Sequence, residues 1–174
     1  DREGKTFDDW LSSIACGDSE LITLFWQIIL EAINPNYTRN KFAILYGDGN
    51  NGKGTFQRLL INLIGESNVS ALKPAQFSDK HNLETLVGKV CNIGDEAPNE
   101  YLKNPSDLMS ITSGDTVLVN PKGKTAFEAT FKLFNIFSGN YIPNGGNKTN
   151  GWYRRIMIVP FNACLLYTSD AADE

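Results

Sequence analysis

Leu45-Tyr46-Gly47-Asp48-Gly49-Asn50-Asn51-Gly52-Lys53-Gly54-Thr55-Phe56 is the stretch that decides the fold of this chain. Gly47, Gly52 and Lys53 hold the spacing G-x-x-x-x-G-K, the pattern of a phosphate-binding loop. Glycines let a backbone turn tightly and aim several N–H groups at one anion. The lysine then brings a point charge to the terminal phosphates of a nucleoside triphosphate. Loops rich in Gly and Asn are also ordinary turns, so the flanks matter. Lys41–Tyr46 is a short apolar run of strand character, and Phe56–Ile64 has helical apolar spacing, which sets a helix N-terminus against the phosphates. Gly47, Gly49, Asn51, Gly52, Lys53, Gly54 and Thr55 are the candidate nucleotide-binding residues. The pattern departs from the usual one after the lysine, where a Ser or Thr hydroxyl normally meets Mg²⁺ and this chain has Gly54. Either Thr55 supplies the hydroxyl or water completes the shell, since Mg²⁺ keeps several waters readily.

On the N-terminal side, Phe7–Ile14 reads as a short helix, and Asp18 as the N-cap of a second, Ser19–Ile33, with an apolar stripe of Leu21, Leu24, Phe25, Ile28, Ile29 and Ile33. Asn34-Pro35-Asn36 ends it. On the C-terminal side a helix is expected near Asn82–Leu86, a strand at Val90–Gly94, and a helix over Pro105–Ser113 with the proline in its first turn. Thr116–Asn120 and Thr125–Thr130 read as hairpin arms around Pro121-Lys122-Gly123-Lys124. Phe131–Ser138 and Ile156–Phe161 read as buried strands, separated by a Gly- and Asn-rich loop, Tyr141–Gly151. Strands alternating with helices predict a three-layer α/β domain with a mainly parallel sheet. The expected division is an N-terminal helical segment, 1–39, and a phosphate-loop domain, 40–163.

Composition bounds the function classes. A chain of 174 residues with 41% hydrophobic residues can build a globular core. No apolar run is long enough to span a bilayer, and no signal peptide opens the chain. The absence of an initiator methionine marks an expected fragment. Residues 164–174, Cys-Leu-Leu-Tyr-Thr-Ser-Asp-Ala-Ala-Asp-Glu, read as a translated sequencing adaptor rather than native chain. Without the three acids of that tail, Asp170, Asp173 and Glu174, the formal net charge of −4 becomes −1. The rest is close to neutral, and a nucleic-acid partner must be met by a local basic patch. Cys16 and Cys91 have no metal or redox spacing and read as reduced thiols. His81, between Lys80 and Asn82, reads as a surface residue.

Beyond the loop, Val90–Gly94 runs into Asp95-Glu96. In a phosphate-loop ATPase a carboxylate at the end of a neighbouring strand approaches Mg²⁺ and the next can polarise the attacking water. Asp95 fits the metal role, with Thr55, and Glu96 the base. A strand end carrying two acids is frequent on any surface, and its place after the loop gives it meaning. Asn140, past Phe131–Ser138, can orient that water; turns also favour asparagine. Arg154-Arg155 either flanks a strand at the surface or reaches a neighbouring subunit's γ-phosphate.

Loop, strand with Asp-Glu, strand with Asn, and Arg-Arg follow in one order. With Thr112–Asp115 (TSGD) and Gly151–Phe161 (GWYRRIMIVPF), that order resembles the ATPase domain of superfamily-three helicases, and within them the phage and plasmid primase–helicases, including the poxvirus-like group. The resemblance implies an AAA+-like domain that hydrolyses ATP with Mg²⁺ and translocates on single-stranded DNA. Lys53, Glu96, Asn140 and Arg155 (or Arg154) would be catalytic. It also implies a homo-oligomeric ring, a hexamer, a possible fused primase, and a cytoplasmic setting in a phage-infected host or mobile element. The hairpin between the acidic and asparagine strands would carry Lys122 and Lys124 to DNA phosphates, a contact without sequence reading. A packaging ATPase or RNA-virus helicase, and a non-catalytic nucleotide-binding assembly module, are the rival classes.

Overall fold

The computed structural model describes residues 6–49, 51–95, 102, 104–142 and 150–162. The chain opens with α1 (Phe7–Ile14), capped by a reciprocal Thr6–Asp9 box, and α2 (Ser19–Ala32), whose N-terminal N–H groups of Glu20 and Leu21 donate to Asp18. Each cap meets donors that a helix start leaves unpaired. β1 (Phe42–Tyr46) leads through the glycine loop into α3 (Lys53–Ile64). β2 (Val69–Ser70), two 3-10 turns (Pro74–Ser78 and Asn82–Leu86) and β3 (Cys91–Gly94) follow. Then come α4 (Ser106–Ser113), β4 (Thr116–Val119), β5 (Phe127–Thr130), β6 (Phe134–Gly139), α5 (Asn150–Arg155) and β7 (Ile156–Pro160).

Among the described residues five strands form one parallel sheet in the order β2-β3-β6-β1-β7. β6 lies between β1 and β3, so the acidic strand is one strand removed from the loop strand rather than its direct partner. Side chains alternate across the pleat. Ala43, Leu45, Cys91, Ile93, Phe134, Ile136 and Val159 face a core built with Leu11 and Ile14 of α1, Phe25, Ile28 and Ile29 of α2, and Phe56 and Leu60 of α3. Phe42, Ile44 and Phe137 face the opposite core with Phe77, Leu83, Leu86, Leu108, Ile111 and Trp152. Burial on both faces is why these strands read as near-continuous apolar runs. The α/β class, the three layers and the parallel sheet are as the sequence predicts. α1 and α2 share the sheet's own core, so residues 6–39 pack as part of the domain. Among the described residues no single helix is long and apolar enough to cross a membrane.

Several boundaries differ from expectation. α3 starts at Lys53, three residues before its apolar stripe, because Gly52 takes a left-handed conformation (φ 93°) that turns the loop straight into the helix. α2 ends at Ala32, with Ile33 as its C-cap. Asn82–Leu86 is a 3-10 turn. β6 starts at Phe134, not Phe131: Phe131 and Leu133 are buried, but the Lys132 carbonyl accepts from Tyr37 N at 3.3 Å, outside the sheet. Arg154-Arg155 end a helix, α5, that runs directly into β7. The tail 164–174 lies outside the described residues.

Candidate nucleotide site

At the carboxyl ends of β1, β3 and β6 opens a cleft of about 630 Å³, where ligands gather in parallel α/β sheets. Its walls bring together Gly49, Asn51, Gly52, Lys53, Gly54 and Thr55 from the loop, Asp95 after β3, and Asn140 after β6. These elements, separate in sequence, meet because their strands share one direction and lie near one another in the sheet.

The loop is braced from within. The buried Asn51 amide donates to the Phe161 carbonyl at 2.8 Å and to the Asp48 carbonyl. Gly47 is not among the residues lining the cleft, and a Cβ there would strike the Phe161 carbonyl and stand 2.5 Å from Asn51 Nδ2. That close approach explains a glycine there better than any contact with ligand. The Lys53 ammonium donates to the carbonyls of Gly47 and Asp48 and to Asn51 Oδ1, the last two at 3.0 and 3.1 Å. α3 has no side-chain cap at Gly52, which leaves first-turn N–H groups directed toward the loop. An uncapped helix start with a lysine folded over it fits an anion such as a triphosphate.

Asp95 and Thr55 are exposed on the cleft wall. Among the described residues no group of three or more His, Cys, Asp or Glu gathers. One carboxylate with one hydroxyl suits Mg²⁺, which binds through few protein ligands and retains water. A Cβ on Gly54 would meet nothing within 4 Å, so the missing hydroxyl is not excluded by space. Glu96 lies outside the described residues. Asn140 is exposed beside Ser138 and Gly139.

The remaining candidates stand elsewhere. Arg155 Nε donates to Ser113 Oγ and Nη1 to the Gly151 carbonyl, both at 2.8 Å, tying α5 to α4; Arg154 is exposed. Lys122 and Lys124 are exposed in the turn joining β4 to β5, which pair antiparallel as expected, and Lys124 Nζ lies 2.6 Å from Glu84 Oε1. His81, exposed, meets the Asn120 carbonyl at the foot of the same turn through Nδ1. Away from the cleft, burial raises the Cys91 thiol well above its ordinary value, and burial, then Glu31's charge, raises the Tyr37 phenol. Both stay neutral.

Five further cleft residues, Gln57, Arg58, Lys73, Ser138 and Gly139, were not among the expected site residues. Gln57 gave the one usable signal, a polar side chain in the apolar helical stripe of Phe56 and Leu60; it is buried with Nε2 unpartnered.

None of the curated proteins matches the chain. Among solved structures, the apo form of the NrS-1 C-terminal region superposes with a TM-score of 0.67 at 21% identity, covering 91% of this chain and 38% of that one. The JCV helicase superposes with a TM-score of 0.56 at 14% identity, covering 87% of this chain and 42% of that one. The likeness is one of fold: the domain is helicase-like in architecture and spans about two fifths of the proteins it matches. The model described as "Family of unknown function (DUF5906)" matches residues 45–155, and the chain belongs to that family.

Proposed function

We propose that this chain is the ATP-hydrolysing motor domain of a replicative DNA helicase, part of a longer phage-type primase–helicase that works as a homo-oligomeric ring, a hexamer, on single-stranded DNA. The observation that carries the reading is the cleft itself, which gathers loop, Asp95 and Asn140 at one end of three parallel strands. Bound MgATP supplies a cleavable phosphoanhydride and a metal charge. The loop N–H groups and Lys53 hold the terminal phosphates; to do so Lys53 exchanges its carbonyl partners for phosphate oxygens. Asp95, with Thr55 or water, holds the metal. Glu96 takes the proton from the attacking water, and Asn140 orients that water. The sequence favours Arg155 for the neighbouring subunit's site. Its guanidinium is bound by its own chain, which supports the exposed Arg154 in that role instead. Lys122 and Lys124 carry the DNA backbone.

The test is ATP turnover with and without single-stranded DNA, in the wild type and in Lys53→Ala. DNA-stimulated turnover that disappears in Lys53→Ala is the expected result. ATP binding without turnover would favour the non-catalytic assembly module, the reading that Gly54 supports. Turnover undiminished in Lys53→Ala would remove the loop from the chemistry.

A further inference from the structure

One basic residue in the cleft is placed with more structure than a solvated lysine needs. Lys73 follows β2, which is only two residues long, and lines the cleft together with Lys53, Asp95 and Asn140. The residue before it, Leu72, is clamped. Asn92, fully buried in β3, accepts from Leu72 N at 2.8 Å and donates to the Leu72 carbonyl at 3.0 Å. The same Asn92 oxygen accepts from Ser70 Oγ at 2.7 Å. One amide therefore secures both peptide groups of Leu72 and the side chain of Ser70.

Gly94 completes the clamp. A Cβ there would strike the Leu72 carbonyl oxygen and stand 3.0 Å from the Leu72 carbonyl carbon and from Phe137 Cδ1. Only a glycine lets Leu72 lie so close to the end of β3, one residue before Asp95. On its other side, Lys73 N donates to Gln76 Oε1 at 2.8 Å, and Pro74 fixes the start of the following 3-10 turn. The backbone of Lys73 is thus locked to the strand that presents Asp95. Among the described residues Lys73 makes no ion pair. An exposed cation whose backbone is tied to the strand that presents Asp95, on the wall of the same cleft as the loop lysine, has the chemistry of an anion ligand.

We infer that Lys73 is a second cis cation for the terminal phosphate of the bound nucleoside triphosphate. Lys53 meets that phosphate from the loop side and Lys73 from the β2–β3 side. The inference rests on the nucleotide-site reading above and adds a residue that distinguishes triphosphate from diphosphate.

The experiment is isothermal titration of ATP and of ADP, each with Mg²⁺, into the wild-type protein, Lys73→Ala, Lys73→Arg and a distant charge control. Lys89→Ala is that control, its ammonium bonded to the Ser67 carbonyl away from the cleft. Lys73→Ala is expected to weaken ATP about tenfold, the size of one charge-assisted contact, while ADP changes less than about twofold. Lys73→Arg should restore most of the loss, Lys89→Ala should match wild type, and the melting temperature should stay unchanged throughout. Should the alanine variant fold poorly, Lys73→Gln, which keeps most of the aliphatic stem, gives the same comparison. Equal weakening of ATP and ADP, or no weakening of either, overturns the inference while leaving the nucleotide site intact. Absence of nucleotide binding in the wild type overturns the site and the inference together.

Discussion

Asn92 and Asn135 form a natural controlled experiment. They are register partners on β3 and β6, so their side chains share one face of the sheet, and both are fully buried. Asn92 makes three hydrogen bonds to Ser70 and Leu72, whereas neither polar atom of the Asn135 side chain has a partner. Leucine shares asparagine's branching but is larger, so each substitution carries an overpacking cost of about 1–3 kcal/mol, and it is the difference between the two sites that tests the polar accounting. Asn92→Leu strands the N–H and C=O of Leu72, itself buried, at about 1–3 kcal/mol each. Some of that is returned by burying apolar in place of polar surface, which leaves an expected loss of about 2–5 kcal/mol, a large part of the ~5–15 kcal/mol that holds a domain folded. Asn135→Leu removes two unpartnered polar atoms and breaks nothing. Relief of those two atoms offsets the overpacking, so the net change should stay within about 2 kcal/mol of wild type and well short of the loss for Asn92→Leu. Urea unfolding of the two variants beside wild type measures both, with an unchanged m-value required for the comparison. A loss above about 2 kcal/mol for Asn135→Leu, or a loss under about 0.5 kcal/mol for Asn92→Leu, would refute the reasoning. Asn92→Leu should also loosen Lys73 and weaken ATP more than ADP, linking fold stability to the site.

Three other expectations follow from the geometry. Thr55→Val should raise the Mg²⁺ concentration needed for hydrolysis, and Gly54→Ser, which has room for its side chain, should lower it or leave it unchanged; a Thr55→Val enzyme with wild-type Mg²⁺ dependence would assign that position to water. Arg154→Ala should keep ATP binding and melting temperature but cut ring-dependent hydrolysis by on the order of 10³-fold. Arg155→Ala should mainly lower the melting temperature, because its guanidinium joins α5 to Ser113 of α4; steep loss of turnover in Arg155→Ala with unchanged melting would reverse the assignment. In the native protein at pH 8, iodoacetamide should label the exposed Cys16 and spare Cys91, whose buried thiol also donates to the Phe134 carbonyl at 3.1 Å. Peptide mapping that finds Cys91 alkylated as fast as Cys16 would contradict the packing of β3.

What the sequence could show follows from the range of each signal. The order strand, glycine loop, helix, the short α1 and the capped start of α2 are written in spacings of a few residues, and these elements are found where expected. The Asp95 and Asn140 positions were legible because each ends an apolar strand. β2 was not, because two residues carry no period and their place is set by Asn92, more than twenty positions later. The insertion of β6 between β1 and β3 was hidden for a similar reason: a parallel sheet is assembled by crossovers, and local pattern does not encode which strands become neighbours. α5 was missed because six residues beginning Asn-Gly show little helical stripe, and Trp152, which anchors it, only acquires meaning once its core exists. Lys73 looked like any exposed lysine, since what distinguishes it belongs to Asn92 and Gly94.

The β4–β5 pair carries a consequence of its own for any motor built on this domain. Its two arms share no ladder with the five-stranded sheet, yet Val117 and Val119 of the inner arm are sunk in the core beneath it. Withdrawing those valines would cost about 1.5–3 kcal/mol apiece, so the arms stay docked and travel belongs to the seven residues between them, 120–126. A loop of that size extends by about three residues per side, roughly 10 Å. Stacked nucleotides along one strand are spaced by about 3.4 Å. If Lys122 and Lys124 carry a strand as proposed above, the loop sets a ruler: a full swing of the tip from one side of its base to the other would cover roughly 20 Å, about six stacked nucleotides, and a longer measured step would have to come from whole subunits moving against one another.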